Sequence, residues 1–331
     1  MKVVIPMAGY GKRLRPLTFA RPKPLINVAG SPIIKHLLDS LEGLDIDEYI
    51  FIVGYLGDQI QEYITSNFSF KATFVTQDEL IGQAHAIYLA REHLDGPAII
   101  LFADTLFRAD LTPIREARSD AVIFVKEVDD PRRFGVVVVN DEGRIINFIE
   151  KPDSTNNKNA VIGLYYIKDS TRLIRAIETQ MARKQMTKGE FYLADAFQIM
   201  IEEGADFRPA PVDVWLDCGK PETVRATSRW LLEHGFDNSA QAQRDSITII
   251  PPVYIHPDAR VEHAIIGPYA TISAGCHVSF SIIRDSILDV GAQVVNSLLD
   301  DSLIGRDARV IGRYNKLNVG DSSTLDFGSK D

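Results

Sequence analysis

The chain has 331 residues, 45% of them hydrophobic, and a formal net charge of −9. That length suits about two domains and the composition a sizeable core. The acidic balance excludes a broad basic surface for nucleic acid or an anionic membrane. Cys218 and Cys276, the two cysteines, lie far apart and form neither a disulfide framework nor a zinc-ligand spacing. With no signal peptide and no apolar run of membrane-spanning length, the expected location is the cytoplasm.

Up to about residue 235 strand and helix patterns alternate. Short β-rich apolar runs occupy residues 3–7, 49–53, 73–76, 98–102 and 121–125, with helical periodicity over 33–44, 57–67 and 84–94. This pattern predicts an α/β, Rossmann-like, mostly parallel sheet covered by helices. In such sheets ligands bind beyond the carboxyl ends of the strands, which is where the first glycine loop and Asp104 fall.

The tail changes period. Ile255, Val261, Ile266, Ile272, Val278, Ile283, Leu288, Val294, Leu299, Ile304 and Val310 recur at steps of five or six residues, with small or turn-forming residues between them. Such hexapeptide repeats predict a β-helix whose short strands each bury one apolar side chain. Polar residues over 236–245 place the boundary, giving domains at 1–238 and 246–327.

Met7-Ala8-Gly9-Tyr10-Gly11-Lys12-Arg13-Leu14-Arg15 follows the first strand, and Pro22-Lys23-Pro24-Leu25 comes soon after. Glycines that let the backbone bend toward a ligand, with Lys12, Arg13, Arg15 and Lys23 around them, suit a triphosphate. The loop is not a P-loop, because Arg13 follows Gly11-Lys12 where Ser or Thr is required. Nor is it a dinucleotide fingerprint, because Leu14 takes the place of the third glycine.

With these residues the chain closely resembles the sugar-1-phosphate nucleotidyltransferases. Their opening motif is Gly-x-Gly-Thr-Arg-Leu-x-Pro-x-Thr, followed by a Pro-Lys or Ser-Lys segment. Here Lys12 replaces the usual Thr, and Tyr10 stands where glycine is common. The resemblance implies that Arg13 clamps the leaving pyrophosphate and Lys23 sits near the α-phosphate, with Ala8, Gly9, Gly11 and Lys12 along the nucleotide. Lys12 either adds a phosphate contact or simply replaces a hydroxyl.

Gln77-Asp78-Glu79-Leu80-Ile81-Gly82-Gln83-Ala84-His85-Ala86 is similar to a segment of the thymidine- and uridine-specific members. An amide is both donor and acceptor and can pair with a pyrimidine edge. By that likeness Gln77 and Gly82 read the base, while His85 packs within its helix. Asp104 ends a buried strand, and Asp217 lies in Trp215-Leu216-Asp217-Cys218-Gly219. Mg²⁺ favours one or two carboxylates plus phosphate oxygens, and the family holds its metal with two such aspartates. Cys218 is expected to be a buried, unreactive thiol.

Phe134-Gly135-Val136-Val137, Glu150-Lys151-Pro152 and Lys188-Gly189-Glu190 follow in the family's order. A carboxylate accepts sugar hydroxyls and a lysine holds a phosphate as a point charge. Glu150 is therefore assigned to hydroxyls and Lys151 to the sugar phosphate. Gly135 lets backbone approach the sugar, and Lys188 is a second phosphate contact. The tail matches the long glucose-1-phosphate thymidylyltransferases with a left-handed β-helix, down to Leu317-Asn318-Val319-Gly320-Asp321-Ser322.

The resemblance implies attack of a sugar 1-phosphate on the α-phosphorus of dTTP or UTP, with Mg²⁺ as cofactor and glucose 1-phosphate as the first choice of sugar. The tail is read as packing or homo-oligomer assembly. Two alternatives stand beside this: a catalytically silent nucleotide-sugar sensor, and an acyltransferase activity in the β-helix.

Overall fold

The computed structural model describes residues 1–313, which fall into two compact units dividing after His234. In the first, Lys2–Pro6 lies between Glu48–Val53 and Ala98–Leu101 and runs parallel to both, with Ala72–Thr76 continuing the parallel row. Val3, Val4, Ile5, Ile50, Phe51, Ile52 and Ile99 are wholly buried. Strands covered on both faces lose polar alternation, which is why these segments read as unbroken apolar runs.

Beyond Ala98–Leu101 the same nine-stranded sheet becomes antiparallel through Asn159–Ile167, which also pairs with Ala121–Glu127 and Gly135–Val139. Gly135–Val139 and Ile145–Glu150 form a hairpin. A connection this short permits only antiparallel pairing, and the Asn140 side chain accepts from the Glu142 and Arg144 backbones to close it. The 33–44 periodicity gives a helix only over Ile33–Asp39. Past it the bonds tighten to Leu41→Leu38 and Leu44→Leu41, and Gly43 takes φ +84°.

One small element matters for the site. Thr105–Arg108 and Val214–Asp217 pair as an antiparallel ribbon, with Asp217 opposite Thr105. Distant segments thereby bring Asp104 and Asp217 to the same end of one ribbon.

The second unit is a left-handed β-helix of three four-stranded parallel sheets. Its register stacks like on like: Ile255, Ile272, Leu288 and Ile304 in one column, Val261, Val278, Val294 and Val310 in another, Ile266, Ile283 and Leu299 in the third. These are the residues picked out by the five- and six-residue steps. Left-handed backbone at His263, Phe280 and Asn296 turns successive coils at one corner. The 317–322 motif and the predicted domain end at 327 lie outside the described residues. Among the described residues no helix is long and apolar enough to cross a membrane.

Candidate active site

The first strand ends in a loop fixed by its own bonds. Gly11 adopts φ +60°, and a Cβ there would press on Thr18 Cγ2 at 3.0 Å. Thr18 Oγ1 in turn donates to the Gly11 carbonyl at 2.9 Å. The left-handed turn leads straight into a 3₁₀ turn over Lys12–Leu14. Lys12 Nζ lies 5.5 Å from the Tyr10 ring centroid, and Tyr10 packs on Tyr55 at 5.3 Å. Tyr55 and Gln59 donate to the carbonyls of Phe19 and Ala20, tying down the far side of the loop.

Gln77 follows Ala72–Thr76 and is buried. Its Nε2 lies 3.4 Å from the Gly82 carbonyl oxygen and 3.5 Å from His85 Nδ1. Gly82 has φ +124°, and a Cβ there would fall 2.5 Å from the Phe191 nitrogen. The two segments are clasped by Phe191 N–H donating to Ile81 O at 2.8 Å and Ala84 N–H donating to Phe191 O at 3.0 Å. The turn of Lys188 and Glu190 is thus locked to the segment of Gln77 and Gly82.

Lys23 Nζ contacts Asp104 Oδ2 at 2.7 Å, with side chains 13% and 38% exposed. Burial alone would raise the Asp104 pKa, but the Lys23 ammonium, with Arg13 beyond it, holds the carboxyl below the ordinary 3.8. Asp104 therefore stands ionised at the wall of the cleft. On the ribbon's other strand, Asp217 Oδ1 accepts from the Gly219 N–H at 2.8 Å. The Cys218 N–H donates to the Asp104 carbonyl at 3.0 Å. The Cys218 thiol is fully buried, and burial, with Asp217 and Asp104 adding to it, pushes its pKa up to about 12. Its burial is as expected.

Glu150 faces Gly135 across the hairpin. A Cβ on Gly135 would come 3.0 Å from Glu150 Oε2, so the glycine keeps open the space the carboxylate fills. Burial raises the Glu150 pKa against the opposing pull of Lys151 and Lys188. Lys151 Nζ sits 3.5 Å from Glu150 Oε1 and 3.4 Å from the Tyr192 hydroxyl. Lys188 is exposed on its turn.

These residues enclose two adjoining compartments. One, of about 420 Å³, is lined by Ala8, Gly9, Gly11, Lys12, Gln77 and Gly82, together with Lys23, Leu80 and Glu190. The other, of about 570 Å³, is lined by Gly135, Glu150, Trp215 and Asp217, together with Phe134 and Tyr165. Arg13, Gln83, Phe102 and Asp104 line both. Lys151 and Lys188 belong to neither wall and stand behind the Glu150 end. Sequence reading passed over Gln83 and Glu190, although both lie inside segments it quoted. It passed over Phe191 as well, whose clasp no local pattern signals.

The cleft is therefore a two-chamber site with the Arg13 cation and the Asp104 carboxylate at the junction, suited to holding two anionic substrates end to end. Comparison with known proteins agrees. The family model described as "Nucleotidyl transferase" matches residues 2–233. A glucose-1-phosphate thymidylyltransferase from Streptomyces griseus is 26% identical, with 99% of this chain and 100% of that one covered. A UTP–glucose-1-phosphate uridylyltransferase from Haloferax volcanii is 33% identical over 67% of this chain and 93% of its own. Among solved structures, a Bacillus anthracis protein described as a glucose-1-phosphate thymidylyltransferase, in complex with sucrose, superposes with a TM-score of 0.59. It is 25% identical, with 70% of this chain and 94% of that one covered. The chain belongs to the sugar-1-phosphate nucleotidyltransferases.

Proposed function

We propose that this enzyme joins dTTP to glucose 1-phosphate, releasing pyrophosphate. The observation that carries the reading is the meeting of the two compartments at Arg13 and Asp104. A phosphate oxygen of the sugar 1-phosphate forms a bond to the α-phosphorus of the nucleotide. The bond from that phosphorus to the bridging oxygen of pyrophosphate breaks, and the electron pair leaves with pyrophosphate. Both reactants are anions, so catalysis rests on positioning and charge neutralisation rather than on a general base.

In this reading Gln77 and Gly82 read the base, while Ala8, Gly9, Gly11 and Lys12 follow the nucleotide. Lys23 steadies the α-phosphate and Arg13 the departing pyrophosphate. Glu150 accepts sugar hydroxyls, with Lys151 and Lys188 contributing positive charge behind it. Asp104 and Asp217 are the residues that would hold Mg²⁺. They fit it in kind, being hard oxygen donors of which Asp104 is held ionised. Among the described residues no group of three His, Cys, Asp or Glu side chains is placed to hold a metal. Two carboxylates suit an ion that draws its other ligands from phosphates and water. When bound, the ion neutralises phosphate oxygens and stabilises charge developing at phosphorus.

UTP is the second reading, favoured by the higher identity to the uridylyltransferase relative. Thymine and uracil differ by one methyl, worth about 1–3 kcal/mol in an apolar pocket, and Leu80 is the apolar side chain on that wall. Pyrophosphate release, measured for four nucleoside triphosphates against several sugar 1-phosphates with and without Mg²⁺, tests the assignment. The expected best pair is dTTP with glucose 1-phosphate, UTP following within about 200-fold. Release only with a purine nucleotide would overturn it.

A further inference from the structure

Resting on this functional reading, we propose that Gln83 reads the hydroxyl next to the phosphate-bearing carbon of the sugar 1-phosphate and thereby sets sugar specificity. Four residues wall both compartments: Arg13, Gln83, Phe102 and Asp104. Arg13 and Asp104 are charged and face the meeting phosphates. Phe102 offers only an apolar ring, packed edge-on against Tyr165 at 5.6 Å. Gln83 is the one neutral hydrogen-bonding side chain at the junction.

The two glutamines of this segment are in different states. The Gln77 amide is turned to Gly82 and His85, whereas Gln83, half-buried, has no side-chain hydrogen-bond partner among the described residues. A half-buried amide on the cleft wall that the protein leaves unpaired is open to a hydrogen bond from whatever occupies the cleft. Its placement is also fixed from both sides. Gly82 before it is pressed against the Phe191 backbone, and the Ala84 N–H after it donates to Phe191 O at 3.0 Å.

The chemistry of the occupant follows from the ends of the second compartment. Glu150 lines the second compartment alone, whereas the Arg13 cation lines both. A sugar 1-phosphate aligned with its phosphate at the junction puts carbon 1 beside Gln83, so the nearest hydroxyl is that of carbon 2. A hydroxyl donates one hydrogen bond and accepts others, and an amide presents both complements. Arg13 or Asp104 would satisfy only one of the two roles.

Gln83→Met keeps side-chain length and helix preference while removing the amide. Steady-state pyrophosphate release with dTTP and Mg²⁺ is compared for glucose 1-phosphate and 2-deoxyglucose 1-phosphate, using the full chain. Wild type is expected to favour glucose 1-phosphate by about tenfold or more in kcat/KM, the scale of one neutral hydrogen bond with its desolvated partner. In Gln83→Met that preference collapses to roughly twofold, through loss of activity on glucose 1-phosphate, while KM for dTTP stays close to wild type. A merely structural role would lower both sugars together or raise KM for dTTP, and either result would overturn the inference. So would a preference that survives the substitution. Wild type inactive with every sugar 1-phosphate would overturn the functional reading and this inference with it.

Discussion

Lys23 and Asp104 show how single side chains prepare the cleft. Their 2.7 Å contact keeps the Asp104 carboxylate ionised in a half-buried wall, where burial alone would drive it toward its neutral form. Because the Asp104 pKa is lowered in the folded chain, its contribution to stability is present above the ordinary 3.8 and lost as pH falls through the folded value. Glu150 runs the other way. Burial raises its pKa above 4.5, so its contribution holds below that value and is lost as pH rises through the folded one. Glu150→Gln is therefore expected to melt about 1–3 °C above wild type near neutral pH. That advantage should disappear below about pH 4.5, and KM for the sugar 1-phosphate should rise at least about tenfold. Calorimetry across pH together with sugar-phosphate kinetics checks both. An advantage that grows on acidification would contradict the assigned pKa direction. Residue type, order and family likeness pointed to the loop cations and both aspartates. Lys12, Arg13, Lys23, Asp104 and Asp217 line the cleft, whereas Arg15 lies over the Phe19 ring. Gln83 was not legible, because only the folded chain shows which side of its helix faces both compartments.

At the level of elements, the site depends on segments joined over long sequence distances. The Gly82–Phe191 clasp and the Thr105–Arg108 ribbon with Val214–Asp217 carry no local signal. The strand patterns placed Asp104 at a strand end, but only family likeness joined it to Asp217. The parallel strands were legible because apolar runs bounded by turns are hard to read otherwise. The antiparallel hairpin of Gly135–Val139 and Ile145–Glu150 was not read from its Phe134-Gly135-Val136-Val137 and Glu150-Lys151-Pro152 motifs. Gly82→Ala is expected to destabilise the first unit by about 2 kcal/mol or more. It places a side chain at φ +124° against the Phe191 backbone. Denaturant unfolding measures the loss, and nucleotide binding should weaken with it; unchanged stability would mean the clasp yields easily.

Over the whole molecule, each unit carries an apolar core of its own. The hexapeptide steps marked the three interior columns of the second but not Val253, Ala259, Ala264, Ala270, Cys276 and Ala292, which also belong to its core. Ile272 is wholly buried in its column, so Ile272→Ala is expected to cost about 2–5 kcal/mol. The loss should fall on the β-helix transition in calorimetry and leave the first unit's transition in place; a shift of both would show the units unfold as one. We assign the β-helix to packing or assembly of copies. Ile265, Ile282 and Leu298 stand in register and partly exposed on one outer sheet, the kind of apolar patch that marks an interaction surface. The central claim is that the two-chamber cleft is a nucleotidyltransferase site worked by Asp104 and Asp217. It is tested most directly by Mg²⁺-dependent pyrophosphate release from dTTP and glucose 1-phosphate, in wild type and in Asp104→Asn and Asp217→Asn. Wild type should turn over, and each variant should keep its fold by circular dichroism while losing roughly 10³-fold in kcat. Wild-type rates in both folded variants would contradict the account.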